Sequence, residues 1–295
     1  MFVGYSQYIS CRINHVMDQF MIAFRTALLI GVCTLALGTT VTAQRSVIWQ
    51  EKPGTWSVNA GLGATRYLGD LEERFNLAHL QLGVAIGGAV TYRKTDQLAL
   101  RADVQLYYIR GAHEHTYLAF NNLSFRSLNP DVSVGVQYDF WSSKNKNYAV
   151  VPYAIAGVGL TYMTPRAKYR GNTYSLAPLR TEGIAYNRLP IIMRYGVGVP
   201  VFSTERFKGT IEGVYTHVFS DYLDDVSTRY VDRSGMTPLA AALSDRAPEV
   251  GTAPNAPGAK RGNSKRNDGY LTLSARVVFI IITPQQRLYR RMFGG

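Results

Sequence analysis

Charged side chains recur at alternate positions inside segments that are otherwise apolar. Arg101 and Asp103 alternate with Leu100, Ala102 and Val104. Residues two apart lie on the same face of a strand, so the charges share one face and the apolar residues share the other. Buried charges are costly unless paired, so opposite signs are expected to meet. A charge network is predicted to project inward and close the lumen, from Arg101, Asp103, Asp131, Asp139, Arg194, Glu212 and Arg276. The alternative is a polar channel, which the narrow interior of eight strands disfavours.

A second group that could do chemistry is the acidic run Asp221-Tyr222-Leu223-Asp224-Asp225-Val226-Ser227. Calcium takes six to eight oxygen ligands, so Asp221, Asp224 and Asp225 form a candidate metal site. The run lacks the spacing and central glycine of a calcium loop. Turn capping, or pairing with Arg229 and Arg233, is therefore the favoured interpretation. No cofactor is predicted.

Histidines give little support for catalysis or metal binding. His113-Glu114-His115 places two imidazoles on one side of an extended segment, but two ligands do not make a zinc site, and a solvated loop is expected. No histidine lies in a motif with serine and an acid, and no phosphate loop, dinucleotide fingerprint or nucleophile elbow is present. The sequence therefore predicts a protein that is not an enzyme, although catalytic triads are spatial and are not excluded.

The elements that must position these residues are eight segments of alternating apolar and polar or glycine residues. This pattern predicts antiparallel strands, even in number as in single-chain bacterial barrels. The predicted strands are 56–67, 81–92, 98–110, 128–140, 150–162, 189–202, 209–219 and 270–279.

Three features favour a transmembrane β-barrel over a soluble sandwich, whose strands alternate in the same way. Aromatic residues collect near the strand ends, as in an interfacial girdle. Glycines crowd the inward face, as the narrow interior of eight strands requires. Connections alternate between short and long, which places short turns in the periplasm and long loops outside the cell when the amino end is periplasmic.

The amino-terminal region predicts export. The apolar stretch 28–37 follows Arg25 and leads to Val41-Thr42-Ala43, which predicts a signal peptide starting at Met21 and cut before Gln44. A membrane-spanning helix needs roughly 18 apolar residues, so that alternative is disfavoured. The only cysteines, Cys11 and Cys33, precede the cut, so no disulfide is expected.

The predicted organisation is an upstream segment and signal peptide (1–43), a periplasmic segment (44–55), the outer-membrane barrel (56–279) and a basic periplasmic tail (280–295). The last long loop spans 220–269, and its part 239–265 is poor in large apolar residues and is expected to be mobile. The formal net charge is +12. For an exported chain, that charge predicts contact with outer-membrane lipid and lipopolysaccharide and not with nucleic acid.

Several motifs in order along the chain resemble the PorG family of small outer-membrane barrels associated with the type IX secretion system. The resemblance covers nearly the whole mature chain. It lies in Tyr67-Leu68-Gly69-Asp70-Leu71, Asn122-Leu123-Ser124-Phe125, Pro152 to Gly159, Leu179-Arg180-Thr181-Glu182-Gly183, the acidic run from Asp221 to Ser227, Arg261-Gly262-Asn263 and Asp268.

The resemblance implies a non-enzymatic barrel that anchors or positions the periplasmic ring lipoprotein and associated secretion subunits. The resemblance also implies a set of family motif residues at two places in the chain. These are Tyr67, Gly69, Asp70 and Leu71, and Asp221, Tyr222, Asp224, Asp225 and Ser227. Two alternatives stay open, namely a free-standing envelope barrel or adhesin that acts through its surface loops, and a lipid-modifying barrel enzyme.

Overall fold

The computed structural model describes residues 53–71, 80–142, 150–204 and 206–281. Helices in these residues are short, with one α-helix, α1 (Pro238–Ser244), and none long and apolar enough to cross a membrane. The strands are β1 (Trp56–Leu68), β2 (Leu82–Arg93), β3 (Leu98–Ala112), β4 (Ser124–Asp139), β5 (Tyr153–Thr161), β6 (Arg166–Tyr169), β7 (Asn172–Ser175), β8 (Ile191–Ser203), β9 (Phe207–Val218) and β10 (Gly269–Ile281). Single 3-10 turns lie at His113–His115, Ala119–Asn121, Ala177–Leu179 and Ala247–Val250.

The eight long strands close into an antiparallel ring, so the predicted fold class is confirmed. Consecutive strands pair, β5 pairs with β8, and β10 closes the ring against β1 from Trp56↔Ile281 to Leu68↔Gly269. β4 begins at Ser124 instead of 128, because its first residues continue to pair with β3 as far as Ala112. The β6–β7 hairpin was not predicted. It lies in the long loop after β5 and touches β4 through one pair of residues.

The wall is apolar on the outside and polar on the inside. Outward-facing Leu62, Val84, Val104, Val134 and Leu273 are 58 to 66% exposed. Inward-facing residues are buried and polar, among them Asn59, Gln105, Ser133, Gln137 and Thr272. A soluble sandwich buries its apolar faces between two sheets. A closed ring with the reverse distribution satisfies its own backbone groups and presents an apolar surface to lipid.

Inward-facing glycines make room in the lumen. Gly135 of β4 lies opposite Gly157 of β5. A Cβ atom added to Gly135 would lie 2.5 Å from the Gly157 Cα, a separation that real Cβ contacts essentially never show. The wall here therefore carries no side chain, and the space goes to charged side chains from other strands.

The connection from β9 to β10 is folded, and the expectation of a mobile segment 239–265 is wrong. The Thr237 side chain caps α1, and Leu243 and Ala247 are buried. Asp245 pairs with Arg233 at 2.9 Å. The segment has too few large apolar residues for a core of its own, so polar contacts to the rest of the loop end hold it. Composition alone did not reveal these contacts.

Other predictions fall outside the described residues and stay predictions. These are the upstream segment and signal peptide, most of the segment 44–55, His79, most of the turn 141–148, and the basic tail from 282 onward. The placement of the two barrel ends relative to the cell is also a prediction. The ends are called the short-turn end and the long-loop end below.

Candidate functional site

The predicted lumen charges meet in buried ion pairs, with Arg101 at the centre. Its guanidinium lies 2.8 and 2.9 Å from the two Asp103 oxygens, and 2.7 and 2.9 Å from those of Glu212. Arg276 binds the same acids, at 2.8 Å to Glu212 and 3.4 Å to Asp103. Two cations and two anions thus form a neutral quartet, in which each buried charge is paired and hydrogen-bonded.

Arg194 and Asp131 form a second neutral pair in the lumen. Arg194 Nη1 lies 3.1 Å from Asp131 Oδ1, and its Nη2 donates to Gln105 Oε1 at 3.0 Å. The Tyr270 hydroxyl donates to the other Asp131 oxygen at 2.5 Å. Both Asp131 oxygens therefore have partners, as a buried carboxylate requires.

Asp139 pairs with an arginine that the sequence analysis assigned to a turn. Arg93 Nη1 lies 2.9 Å from Asp139 Oδ2, and both side chains are buried. Arg93 is inward-facing because β2 alternates through Thr91 to Arg93, one residue beyond the predicted strand end. The alternation itself was the signal that could have identified it.

Ion pairs and polar side chains fill the described lumen. Two spaces left between them have volumes of about 10 Å³ each. That is room for about one water molecule. The packing supports a plugged interior over a polar channel.

An apolar layer, which the sequence analysis missed, closes the interior toward the long-loop end. Tyr107 and Tyr270 stack with ring centroids 4.0 Å apart. Beyond them lie apolar side chains at inward positions of the strands, including Ile109, Phe125, Ile192 and Val218, together with Met163 just after β5. These apolar residues stand at positions where the alternation predicts polar ones, and this difference was the sequence signal for the layer.

Beyond this layer, segments that carry the family resemblance meet in one hydrogen-bonded group. The Tyr67 hydroxyl lies 2.6 Å from Asp224 Oδ2 and 2.9 Å from Asp268 Oδ1, and it accepts a hydrogen bond from the Asp70 backbone at 3.1 Å. A phenol has one hydrogen, so it donates to one carboxylate at a time. The group is called the cap cluster and comprises Tyr67, Asp70, Glu182, Asp224, Asp225, Arg261 and Asp268.

Glu182 connects the acidic run, at the start of the last loop, to Arg261 near the end of that loop. Its Oε1 accepts hydrogen bonds from the Ser227 backbone at 2.8 Å and from Arg261 Nη1 at 2.9 Å, while Oε2 accepts from the Thr228 hydroxyl at 2.6 Å. Arg261 also donates to the Asp225 carbonyl at 2.6 Å. One buried guanidinium therefore bridges the loop after β5 and both ends of the loop after β9.

Asp225 and Asp221 differ in how they are satisfied. Asp225 accepts from the Thr181 hydroxyl at 2.5 Å and the Tyr186 hydroxyl at 2.7 Å, in a backbone conformation with φ of +68°. Asp221 is also buried, but neither of its oxygens has a hydrogen bond of normal geometry. Its charged form is therefore the less well solvated of the two.

Two motif glycines are explained by close packing in the cap cluster. A Cβ atom on Gly69 would collide with the Tyr67 hydroxyl and with Asp268. A Cβ atom on Gly262 would lie 2.7 Å from Asp70 Oδ2 and 2.8 Å from the Ser227 backbone. Gly69 therefore allows Tyr67 and Asp268 to approach each other, and Gly262 allows Arg261-Gly262-Asn263 to pack against Asp70 and Ser227. The other motif residues also lie here, with Leu71 buried in the apolar layer and the Tyr222 ring stacked on Tyr186 at 4.4 Å.

Burial raises the pKa of four aspartates in and beside the cap cluster, Asp221, Asp224, Asp225 and Asp268. The pKa values of Asp224 and Asp268 rise well above the ordinary range through burial, and repulsion from neighbouring acids raises them further. Burial raises the pKa of Asp221 to about 8, although the Ser227 hydroxyl opposes the shift. Burial raises the pKa of Asp225 to about 6, against the attraction of Arg261. At neutral pH the cluster therefore holds protons.

The acidic run is used for internal hydrogen bonds. Among the described residues, no group of three or more His, Cys, Asp or Glu side chains is arranged to hold a metal. The expected pairing with Arg229 and Arg233 is wrong, because Arg229 donates to the Gly258 carbonyl and Arg233 pairs with Asp245. Arg261, which lies further along the chain, takes that role because the loop folds back over the barrel mouth.

The histidines do not form a catalytic arrangement in the described residues. The His113 side chain is buried, and burial lowers its pKa to about 4, so the expectation of a solvated loop is wrong there. Its ring nitrogens have no serine or carboxylate side-chain partner among these residues. The His115 side chain lies outside the description. His217 lies edge-on to Phe219 at 4.8 Å, on the outer wall.

No family model and no curated protein sequence matches the chain. Solved structures with a similar fold include Neisserial surface protein A, with a TM-score of 0.40 and 13% identity over 76% of this chain and 96% of that one. OprG from Pseudomonas aeruginosa gives 0.39 and 12%, over 80% and 100%. Ail of Yersinia pestis, in complex with the heparin analogue sucrose octasulfate, gives 0.35 and 14%, over 77% and 99%. Likeness at this level concerns the fold alone.

The location follows from the molecule's own surfaces. A closed antiparallel ring, an apolar outer wall and a polar interior are the features of barrels that reside in bacterial outer membranes. The chain is an integral outer-membrane protein, an eight-stranded β-barrel with a lumen closed by ion pairs and a buried polar cap at its long-loop end.

Proposed function

We propose that this barrel is a non-enzymatic component of a type IX secretion machine, which anchors or positions the periplasmic ring lipoprotein and associated secretion subunits. The proposal starts from the PorG resemblance. The cap cluster is the observation that carries it.

Five of the seven motifs behind the resemblance are separated along the chain, yet they form one structural unit. The other two, Asn122 to Phe125 and Pro152 to Gly159, lie outside it. Tyr67 and Asp268 are 201 positions apart and are hydrogen-bonded, and Glu182 and Arg261 are 79 apart and ion-paired. Weak motifs could each arise by chance. Their meeting in one buried cluster supports treating them as a single signature, and so supports the family's role as the working hypothesis.

The packed interior favours an anchor over a conduit. The ion pairs of Arg101 and Arg194 fill the lumen, and the apolar layer and cap cluster lie beyond them. A barrel plugged in this way has no path for a secreted protein. A role in secretion therefore has to act through its surfaces.

With the predicted orientation, the short-turn end faces the periplasm and offers the surface for ring subunits. The turn between β2 and β3 exposes Lys94, and the turn between β8 and β9 exposes Arg206. Both cations suit an acidic partner, whose attraction would weaken with salt. The predicted tail, with Arg287, Arg290 and Arg291, would add to this surface.

The test is affinity purification from gently solubilised envelopes, combined with a secretion assay in a strain lacking the gene. We expect ring subunits to co-purify and secretion to drop in the deletion strain. Lys94→Glu with Arg206→Glu should insert normally and weaken co-purification, whereas the control Lys260→Glu at the long-loop end should not. Full secretion without the protein would remove the proposal.

One observation favours the adhesin alternative. Tyr117, Phe120 and Val250 are 79, 47 and 51% exposed in the loops of the long-loop end. Exposed apolar side chains in surface loops are typical of binding sites. Replacing Tyr117 and Phe120 by serine should then abolish binding to host or neighbouring cells while secretion stays intact. The opposite pattern supports the secretion role.

A further inference from the structure

Three arginines lie side by side on neighbouring strands near the long-loop end. Arg110 of β3 is directly opposite Arg126 of β4, and Arg126 is directly opposite Arg166 of β6. Directly opposed residues have Cβ atoms about 4.5–5.5 Å apart, and like charges at that separation destabilise a sheet. The row therefore needs an anion to balance it.

All three side chains point away from the barrel interior. Their chain neighbours Ile109, Phe125 and Ala167 are buried in the apolar layer, so the alternate positions face outward. Lys168 lies two residues beyond Arg166 and is exposed on the same face. The surface is thus a basic patch on the outer wall, formed by Arg110, Arg126, Arg166 and Lys168.

The described protein does not itself supply the anion. None of the three arginines forms an ion pair with a carboxylate among the described residues, and the side-chain partner of Arg126 is the neutral Thr173 hydroxyl. Two acids of the loop end, Asp245 and Glu249, pair with Arg233 and Arg246 instead.

The height of the row matches the headgroup region of a membrane. The outward-facing residues of β3 are apolar or aromatic from Leu98 to Tyr108, and Arg110 is the next outward-facing residue. At about 3.3 Å per residue this interval is about 40 Å along the strand. A tilt of about 40° reduces it to about 30 Å along the membrane normal, just above an apolar band about 25 Å tall. Outward-facing Leu128 and Tyr162 lie next to the row on the lipid side.

We propose that the basic patch binds the phosphate groups of lipid A in lipopolysaccharide. Guanidinium groups bind phosphate oxygens in a bidentate manner, and adjacent arginines would hold one glycolipid headgroup while its acyl chains pack on the apolar wall below. The proposal uses the predicted orientation, in which the long-loop end lies at the outer leaflet. It does not depend on the role in secretion.

The test measures binding of deep-rough lipopolysaccharide to the purified full-length barrel in detergent. The variant is Arg110→Gln with Arg126→Gln and Arg166→Gln. A charge near an anionic surface contributes about a fivefold change in affinity, so the triple variant should bind about a hundredfold more weakly. Raising the salt concentration should weaken the parent more than the variant. Heat-modifiable migration on gels shows whether each variant is folded, and Arg126→Gln alone provides a milder version.

Two controls separate the patch from general basicity and from other lipids. Arg180→Gln with Arg229→Gln and Lys260→Gln removes the same charge from exposed loop positions and should leave binding unchanged. Enzymatically dephosphorylated lipid A should bind the parent as weakly as intact lipid A binds the triple variant. Equal binding by parent and triple variant, equal loss in the loop control, a larger effect on phosphatidylglycerol vesicles than on lipopolysaccharide, or tight binding of dephosphorylated lipid A would each overturn the proposal.

Discussion

Replacing Glu212 by glutamine should destabilise the barrel far more than its small change in shape suggests. The Glu212 carboxylate accepts hydrogen bonds from Arg101 at 2.7 and 2.9 Å and from Tyr153 at 2.8 Å, and pairs with Arg276 at 2.8 Å. Glutamine keeps the volume but leaves the two guanidiniums with Asp103 as their shared counter-charge. Breaking a buried ion pair by removing one partner costs about 3–5 kcal/mol.

A second substitution should recover part of that loss. Arg276→Met removes one cation at similar length, so the double variant Glu212→Gln with Arg276→Met keeps the lumen neutral. Because the two residues share an ion pair, the double variant should be less destabilised than the sum of the single variants, by about 2 kcal/mol. Glu249→Gln is the matched control. Its pairing with Arg246 is partly exposed to solvent on the Glu249 side and should contribute about 1 kcal/mol or less.

The measurement is urea-induced unfolding in lipid vesicles of five proteins, namely the parent, Glu212→Gln, Arg276→Met, the double variant and Glu249→Gln, with reversibility checked by refolding. A cost below about 1 kcal/mol for Glu212→Gln, equal to the Glu249→Gln control, would show that lumen water screens the charge. Strict additivity in the cycle would show that Glu212 and Arg276 do not interact. Either result would refute the closed, low-dielectric lumen.

Other predictions address the wall, the orientation and the cap. On the lipid face, Leu106→Arg or Val134→Arg should lower the free energy of unfolding by about 2–4 kcal/mol near the midplane. The lumen change Gln137→Ser should have a mild effect. Equal losses, measured by refolding into vesicles, would show that the assigned register is wrong. Labels in 239–265 should react on intact cells, and labels in 142–147 only after the outer membrane is opened. The pKa values of Asp225 and Asp221 are raised to about 6 and 8, so the folded cap binds protons more tightly than the unfolded loop. Its stability should therefore fall as the pH rises from about 4, the ordinary pKa of an aspartate, to about 8. Hydrogen exchange of the acidic run should show this, and Asp221→Asn should reduce it.

The barrel wall could be predicted because the alternation of apolar and polar residues along each strand is visible in the sequence. Alternation fixed which residues face lipid, and the expected pairing of Arg101 with acids followed from the cost of a lone buried charge. Strand ends were less certain, since pairing continues as long as a partner strand is present. For that reason β4 begins at Ser124 and β2 ends at Arg93, each beyond the predicted end of the strand.

The loop end could not be predicted from local pattern. Arg261 is buried because Glu182 and the Asp225 carbonyl reach it from other loops. No local feature distinguishes it from the exposed Lys260 beside it. The sequence 239–265 resembles a mobile segment in composition because it has few large apolar residues. Its order comes from long-range polar contacts and from the burial of Leu243 in the apolar layer. Tyr67, Glu182 and Arg261 belong to separate motifs, and their order along the chain does not show that they share one cluster.

The position of the cap cluster distinguishes two roles that its motif residues could have, contact with the secretion ring and ordering of the loops. Under the proposed function the partners meet the short-turn end, whereas the signature lies at the opposite end of the barrel. The cluster is therefore expected to act by ordering the loops, without touching the secretion ring. A substitution that loosens the cap and leaves the wall intact tests that separation.

Tyr67→Phe is the sharpest such change. It removes the hydroxyl that bridges Asp224 and Asp268 but keeps the ring, which packs edge-on against Phe125 at 4.8 Å. Because the pKa values of both aspartates are raised, the hydrogen bonds join largely neutral groups and contribute about 0.5–1.5 kcal/mol each. Their loss should let the cap open locally and expose the loop after β9 to protease. Tyr117→Phe, at an exposed tyrosine, is the control and should change nothing. Ring co-purification should survive Tyr67→Phe. If co-purification is lost while the short turns are unchanged, the cap cluster itself takes part in assembly, and the assignment of partners to the short-turn end is wrong.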